Sequence, residues 1–237
     1  MSEPLAIYDR LCEAMKPLSF SEPVTHTYNP LLYARGPLEQ YLERFGQGPK
    51  EVILLGMNPG PWGTAQVGIP FGDIELVRDW MGIDGEVGKP ELEHPKRPVE
   101  GFSCHRSDVS GRRLWGWARD TFGAPEDFFS RCLVLTYCPL SFMEAGGRNR
   151  TPDKLPIDER KQLFPPCDEA LGELLAYYSP RVALGIGGFA EKCIKRVLGK
   201  KSSIQIGRIL HPSPASPAAN HGWAERATET FEAFGIL

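Results

Sequence analysis

Four short apolar runs limit what this chain can fold into: Glu51–Leu55, Cys132–Thr136, Arg181–Ile186 and Ile204–Leu210. Their apolar residues are continuous rather than alternating, the pattern of strands covered on both faces. Helical patterns lie around and between them. The N-terminal MSEPLAIYDRLCEAMKPL reads as an amphipathic helix, Ile74–Met81 as a short one, and Ser110–Phe122 as a helix with a serine cap. Cys167–Tyr178, Phe189–Leu198 and Gly222–Phe234 complete the set. Strands separated by helices predict an α/β three-layer sandwich with a central, mainly parallel four-stranded sheet flanked by helices. The chain shows no internal repeat and no low-complexity linker, so a single domain over residues 1–237 is expected.

An unusual loop follows each predicted strand: GMNPGPWG, YCPL, GIGGFAEK and HPSPASP. In an open parallel sheet the carboxyl ends of the strands share one edge, and ligands bind in the crevice there. Asn58, followed by Pro59, is held out of the helical region, and its amide can orient a water. Asn-Pro also starts ordinary turns. Gly60 lets a ligand approach the backbone, or is a plain turn glycine. Phe71 can offer a flat face to a planar ligand, or fill core. His211, set between a strand end and prolines, is placed to donate a hydrogen bond into the crevice, or is a structural histidine. GIGGFAEK resembles a phosphate-binding turn through Gly187 and Gly188 but lacks the spacing of dinucleotide folds and P-loops; a tight strand–helix turn is the equal reading.

Other classes are disfavoured. No run is long and apolar enough to span a bilayer, and the acidic N-terminal helix is unlike a signal peptide, so an intracellular protein is expected. The six cysteines form no C-x-x-C pair and the histidines show no ligand spacing; buried reduced thiols and no metal are expected. The net charge of −3 argues against coating nucleic acid by bulk charge, although HPKRP (94–98) and GRNRTPDK (147–154) are locally basic.

GMNPGPWGTAQVGIPFGD and HPSPASPAANHGW, joined by YNPLLYARGP, GPKEVILL, EHPKRPVEGFSC, SDVSGRRLWGW and GGRNRTPDKLP, resemble the single-strand-selective monofunctional uracil-DNA glycosylases over nearly the whole chain. The resemblance implies a monofunctional DNA glycosylase of base excision repair. Such an enzyme flips uracil, or a related deaminated or oxidised base, out of single- or double-stranded DNA and hydrolyses it away, leaving an abasic site. It implies no metal or other cofactor, DNA as partner, and a monomer. Asn58 then matches the residue that positions water, and His211 the one that stabilises the departing base. Phe71 matches the stacking aromatic, Met57 a backbone contact to the base, and Gly60 the opening beside the base's C5 edge. Arg148, Asn149, Gly187 and Gly188 fall to DNA contacts. The segment Pro212, Ser213, Pro214, Ala215, Ser216 and Pro217 matches the wedge that fills the vacated stack. Two residues depart from the family pattern. Thr136 stands where an asparagine usually reads the base, leaving open uracil, hypoxanthine or xanthine. Ala215 stands where the wedge usually carries arginine, which predicts a lean toward single strands. A hydrolase or transferase of free nucleosides or nucleotides, and a catalytically weak binder of damaged DNA, remain as alternatives.

Overall fold

The computed structural model describes residues 2–237. Among these residues seven strands form two sheets: β1 (Val24–Tyr28), β2 (Val52–Gly56), β3 (Cys132–Thr136), β4 (Ser141–Glu144), β5 (Asn149–Arg150), β6 (Val182–Ile186) and β7 (Gln205–Ile209). The larger sheet has the order β3-β2-β6-β7, every neighbouring pair parallel. These are the four apolar runs, with ends that agree within a residue. The central strands β2 and β6 are buried along their whole length, which is why their sequences show no alternation.

Among the described residues, nine α-helices accompany the strands: α1 (Glu3–Met15), α2 (Pro30–Tyr33), α3 (Arg35–Phe45), α4 (Thr64–Val67), α5 (Val109–Phe122), α6 (Pro125–Phe129), α7 (Ile157–Tyr178), α8 (Gly188–Leu198) and α9 (Trp223–Ala233). Helix α8 packs on β6 and β7, α9 on β7, α6 on β3, and α7 on α1 and α8. The principal core runs from Leu5 near one end of the chain to Ile236 near the other.

Three departures from the sequence reading have physical causes. Helix α7 begins ten residues before Cys167, because Pro165 and Pro166 lie inside it and hide its start. An interior proline costs a helix roughly 3 kcal/mol, and here the burial of Leu163, Cys167, Leu171 and Leu174 offsets it. The segment Ile74–Met81 is helical but widens into a π turn at Leu76–Trp80, where the Met81 N–H reaches back five residues to the Leu76 carbonyl. A second, antiparallel sheet, β1-β4-β5, has no counterpart in the sequence reading. Its strands are only five, four and two residues long, too short for a period to be read. All six cysteines are buried free thiols, as expected.

Candidate active site

The loops after β2 and β7, the end of β3, the start of α5 and the β5 segment close around a cavity of about 380 Å³, while the YCPL loop after β3 stays outside it. Asn58, Phe71, Thr136 and His211 all line it, together with Met57 and Gly60. The register explains the convergence: Gly56 at the end of β2 stands beside Thr136 at the end of β3, while β6 carries Ile186 beside Ile209 of β7. Their following residues, Met57, Tyr137, Gly187 and Leu210, therefore leave the sheet along one edge.

The loop 57–73 is held rigidly. Gln66 is fully buried; its amide donates to the carbonyls of Pro61 (2.9 Å) and Pro98 (3.0 Å) and accepts from the Glu100 N–H (2.8 Å). Tyr33 donates to the Ala65 carbonyl at 2.6 Å. Phe71 has φ +53°, rare for an aromatic residue and costing of order 1–3 kcal/mol. Its N–H donates to Thr64 Oγ1 at 3.0 Å, and its carbonyl accepts from Asp73 at 2.7 Å. The strained turn lays the ring over the backbone of Gly56, where a Cβ would come 2.7 Å from a ring carbon. The half-buried ring thus forms one wall of the cavity, 5.8 Å from the His211 ring and tilted 51° to it.

His211 presents a defined donor. Its Nδ1 accepts from the Ser213 N–H at 3.1 Å, which leaves the proton on Nε2. Burial lowers its pKa, so the ring is neutral at pH 7. Asn58 donates through Nδ2 to the Leu140 carbonyl at 3.2 Å, leaving Oδ1 without a protein donor. A neutral N–H donor and an amide oxygen acceptor therefore open into one space. The loop after His211 is braced: Arg113 donates to the Pro212 carbonyl (2.9 Å) and to Asn220 Oδ1 (3.0 Å), and Asn220 donates to the Pro214 carbonyl (3.0 Å). Ser213 and Pro214 line the cavity, Pro212 is buried and Ser216 half-buried, while Pro214, Ala215 and Pro217 are exposed.

Gly187 and Gly188 stand outside the cavity lining. Gly187 has φ +88° and caps α8, and a Cβ there would lie 3.3 Å from His211 Cβ, so the turn supports the histidine from behind. Its N–H is used by the Ile209 carbonyl at 2.9 Å. Arg148 is exposed in the turn that joins β4 to β5. Asn149 lies in the cavity wall itself, and its Oδ1 is buried without a donor.

Sequence reasoning passed over Asp108. This residue, not Ser110, caps α5, accepting from the Ser110 N–H at 3.1 Å. It also lines the cavity, beside Gly60 and Gly63, where a Cβ on Gly63 would overlap its carboxylate. Burial, assisted by the charge of Asp73, pushes its carboxyl up to about 6 against the pull of the Ser110 and Gly111 N–H groups. The signal was present as Ser-Asp-Val-Ser ahead of an apolar helix, which an aspartate caps as readily as a serine.

Three curated proteins named single-strand-selective monofunctional uracil-DNA glycosylase match 229 residues, 96% of this chain. The rat protein is 48% identical with 82% of its length covered, the mouse protein 47% with 82%, and the bovine protein 46% with 84%. The chain belongs to this family. A crystal structure of Pedobacter heparinus SMUG2 shares the α/β fold at a TM-score of 0.68 and 18% identity, over 98% of this chain and 99% of the other. No family model matches the chain. Among the described residues no cluster of side chains could hold a metal ion, and no helix is long and apolar enough to cross a membrane.

Proposed function

We propose that this glycosylase-family chain receives in its cavity one uracil, or a related deaminated or oxidised base, extruded from DNA. It hydrolyses the bond to the sugar and leaves an abasic site. The observation that carries the reading is the shared cavity: Asn58 and Phe71 from the loop after β2, Thr136 from the end of β3 and His211 from the loop after β7 face one space. A base must leave the stack before its glycosidic bond can be reached, at a cost of a few kcal/mol. Stacking on Phe71 recovers roughly 1–3 kcal/mol of that.

The C1′–N bond breaks with its electron pair leaving on the base and positive charge developing on the sugar. Nε2–H of His211 donates to the base carbonyl where that negative charge gathers, which lowers the barrier rather than only holding substrate. Asn58 Oδ1 accepts from a water whose oxygen bonds to C1′; the displaced proton passes to solvent and the base takes one up. Asp108 adds a negative charge in a poorly solvated cavity, where it favours the cationic sugar. Met57 and Gly60 contribute backbone beside the base. The Thr136 hydroxyl and the Asn149 amide line the cavity where they can read the base edge, and Asn149 Oδ1 is buried without a donor. The braced loop Pro212–Pro217 serves as a wedge. Its exposed Ala215 in place of a long side chain favours single strands over duplex. Gly187, Gly188 and Arg148 fall to the DNA around the site. A monomer acting on DNA inside the cell completes the reading.

The free-nucleotide reading is weakened by Gly187, whose N–H is already committed to Ile209 rather than open to a phosphate. The reading of a weak binder is opposed by the paired donor and acceptor at His211 and Asn58. The test is release of free base from single-stranded oligonucleotides carrying one uracil, hypoxanthine, xanthine or hydroxymethyluracil, followed by alkaline cleavage at the abasic position. Release from at least the uracil strand is expected; no release from any of the four would end the glycosylase reading.

A further inference from the structure

Beside the base cavity, across Trp62, lies a second groove of about 480 Å³. Trp62 lines both. The groove walls include Lys96, Arg97 and Arg106, with Glu100 the single acid among them. The Arg97 guanidinium carbon stands 4.8 Å from the Trp62 ring centroid and that of Arg106 4.3 Å. Arg97 is fixed further by donation from Nε to the Gly147 carbonyl at 2.7 Å. None of the ion pairs among the described residues includes Lys96, Arg97, Arg106 or Arg148.

The two basic segments of the sequence, some fifty residues apart, meet here. Buried His94 joins them: its Nδ1 accepts from the Lys96 N–H at 3.0 Å, so its Nε2–H faces the carbonyls of Glu144 and Ala145, each at 3.2 Å. Gly147 permits the contact, since a Cβ there would lie 3.2 Å from Lys96 Cβ. A guanidinium resting on an indole face keeps its edge N–H groups free and loses little further freedom on binding. Two such groups next to an opening that admits one nucleotide make a preorganised receptor for a tetrahedral anion.

We propose that this groove binds the backbone phosphate of the DNA strand adjoining the extruded nucleotide. Arg97 and Arg106 are the donors, Trp62 is the pillar that orders them, and Lys96 and Arg148 are flanking charges. The identity of the strand rests on the glycosylase reading above; the anion site itself rests on the groove. The contact reads no base, so it acts equally on every sequence.

The test measures binding of a uracil-free single-stranded oligonucleotide over a range of salt, using Arg106→Ala, Arg106→Lys and Arg97→Ala/Arg106→Ala. Each lost arginine is expected to weaken binding about fivefold or more at low salt, and to reduce the slope of log K against log salt by about 0.7. Arg106→Lys should restore part of the affinity, because a point charge replaces a two-toothed donor. In excision assays the loss should fall on KM more than on kcat. Lys161→Ala, an exposed residue of α7 that lines neither the groove nor the base cavity, should leave both affinity and slope as they are. A double variant that binds with unaltered affinity and slope while the wild type excises uracil overturns the groove and leaves the glycosylase reading standing. A wild type that releases no base fails the other way.

Discussion

Replacing Asp108 by asparagine should stabilise the protein and slow it. The carboxyl is raised from 3.8 to about 6 in the folded chain. A shift of about 2 units corresponds to about 3 kcal/mol disfavouring the ionised folded state. Asparagine keeps the cap on the Ser110 N–H but gives up a charge at the N-terminus of α5, worth about 0.3–1 kcal/mol. The desolvation cost is larger, so Asp108→Asn should gain about 2 kcal/mol at pH 7.5, or roughly 4–8 °C in Tm for a chain of this size. The sign with pH follows from the direction of the shift. A carboxyl that holds its proton more tightly when folded contributes most stability below about 4, and that contribution is lost as pH rises through about 6. The difference between variant and wild type should therefore shrink to about 1 kcal/mol or less by pH 4.5. Thermal unfolding followed by near-ultraviolet circular dichroism at both pH values reads this directly. Single-turnover excision at pH 7.5 should fall at least about tenfold if the charge serves the cationic sugar. A variant no more stable than wild type at pH 7.5, or a gap that persists at pH 4.5, would refute the buried-charge reasoning. A more stable variant with undiminished excision would remove Asp108 from the chemistry.

His211→Ala should lower the single-turnover rate by about 10²–10³, the loss of one preorganised donor, with a much smaller change in the Kd for a uracil-containing strand; equal losses in both would make His211 a binding residue. Thr136→Asn should raise excision of uracil relative to hypoxanthine and xanthine, measured as a ratio of kcat/KM values, because an amide matches the uracil edge with a donor and an acceptor; an unchanged ratio would mean that Thr136 does not face the base. Gly111→Ala places a methyl against the Phe71 carbonyl and so attacks the strained turn from below. It should lower Tm by several degrees and raise KM together; a loss of Tm with KM unaltered would show that the turn does not set the stacking wall.

The fold was largely legible because the strands that matter are buried on both faces, and burial leaves an uninterrupted apolar run. The sheet β1-β4-β5 was not, since strands such as Asn149–Arg150 are made by pairing with a neighbour and carry no period of their own. The site divides in the same way. That Asn58, Phe71 and His211 would meet in one cavity was legible because each lies in a proline- and glycine-rich stretch just beyond a strand end, although the residues alone also admitted a turn, core or structural role for each. Asp108 could not, because its local role as a helix cap accounts for it fully; only the fold shows that its carboxylate also meets Gly60 and Gly63 across the cavity. The sequence reading gives Asn149 a DNA contact, and the pairing of β5 with β4 sets it in the cavity wall.

The strain at Phe71 links these observations. An aromatic at φ +53° persists only where its surroundings hold it, and here they are the Thr64 hydroxyl, the contact with Gly111 and the bare backbone of Gly56. A chain built for stability alone would place glycine or asparagine at that position and recover of order 1–3 kcal/mol. Asp108, a carboxyl kept ionised at neutral pH against its burial, is a second such cost within the same cavity. Two unfavourable features that share one space, one flat and one charged, fit a site that must grip a planar base and meet a cation. The strained ring has no use in a plain turn, and capping α5 does not by itself require a carboxylate that also faces the cavity.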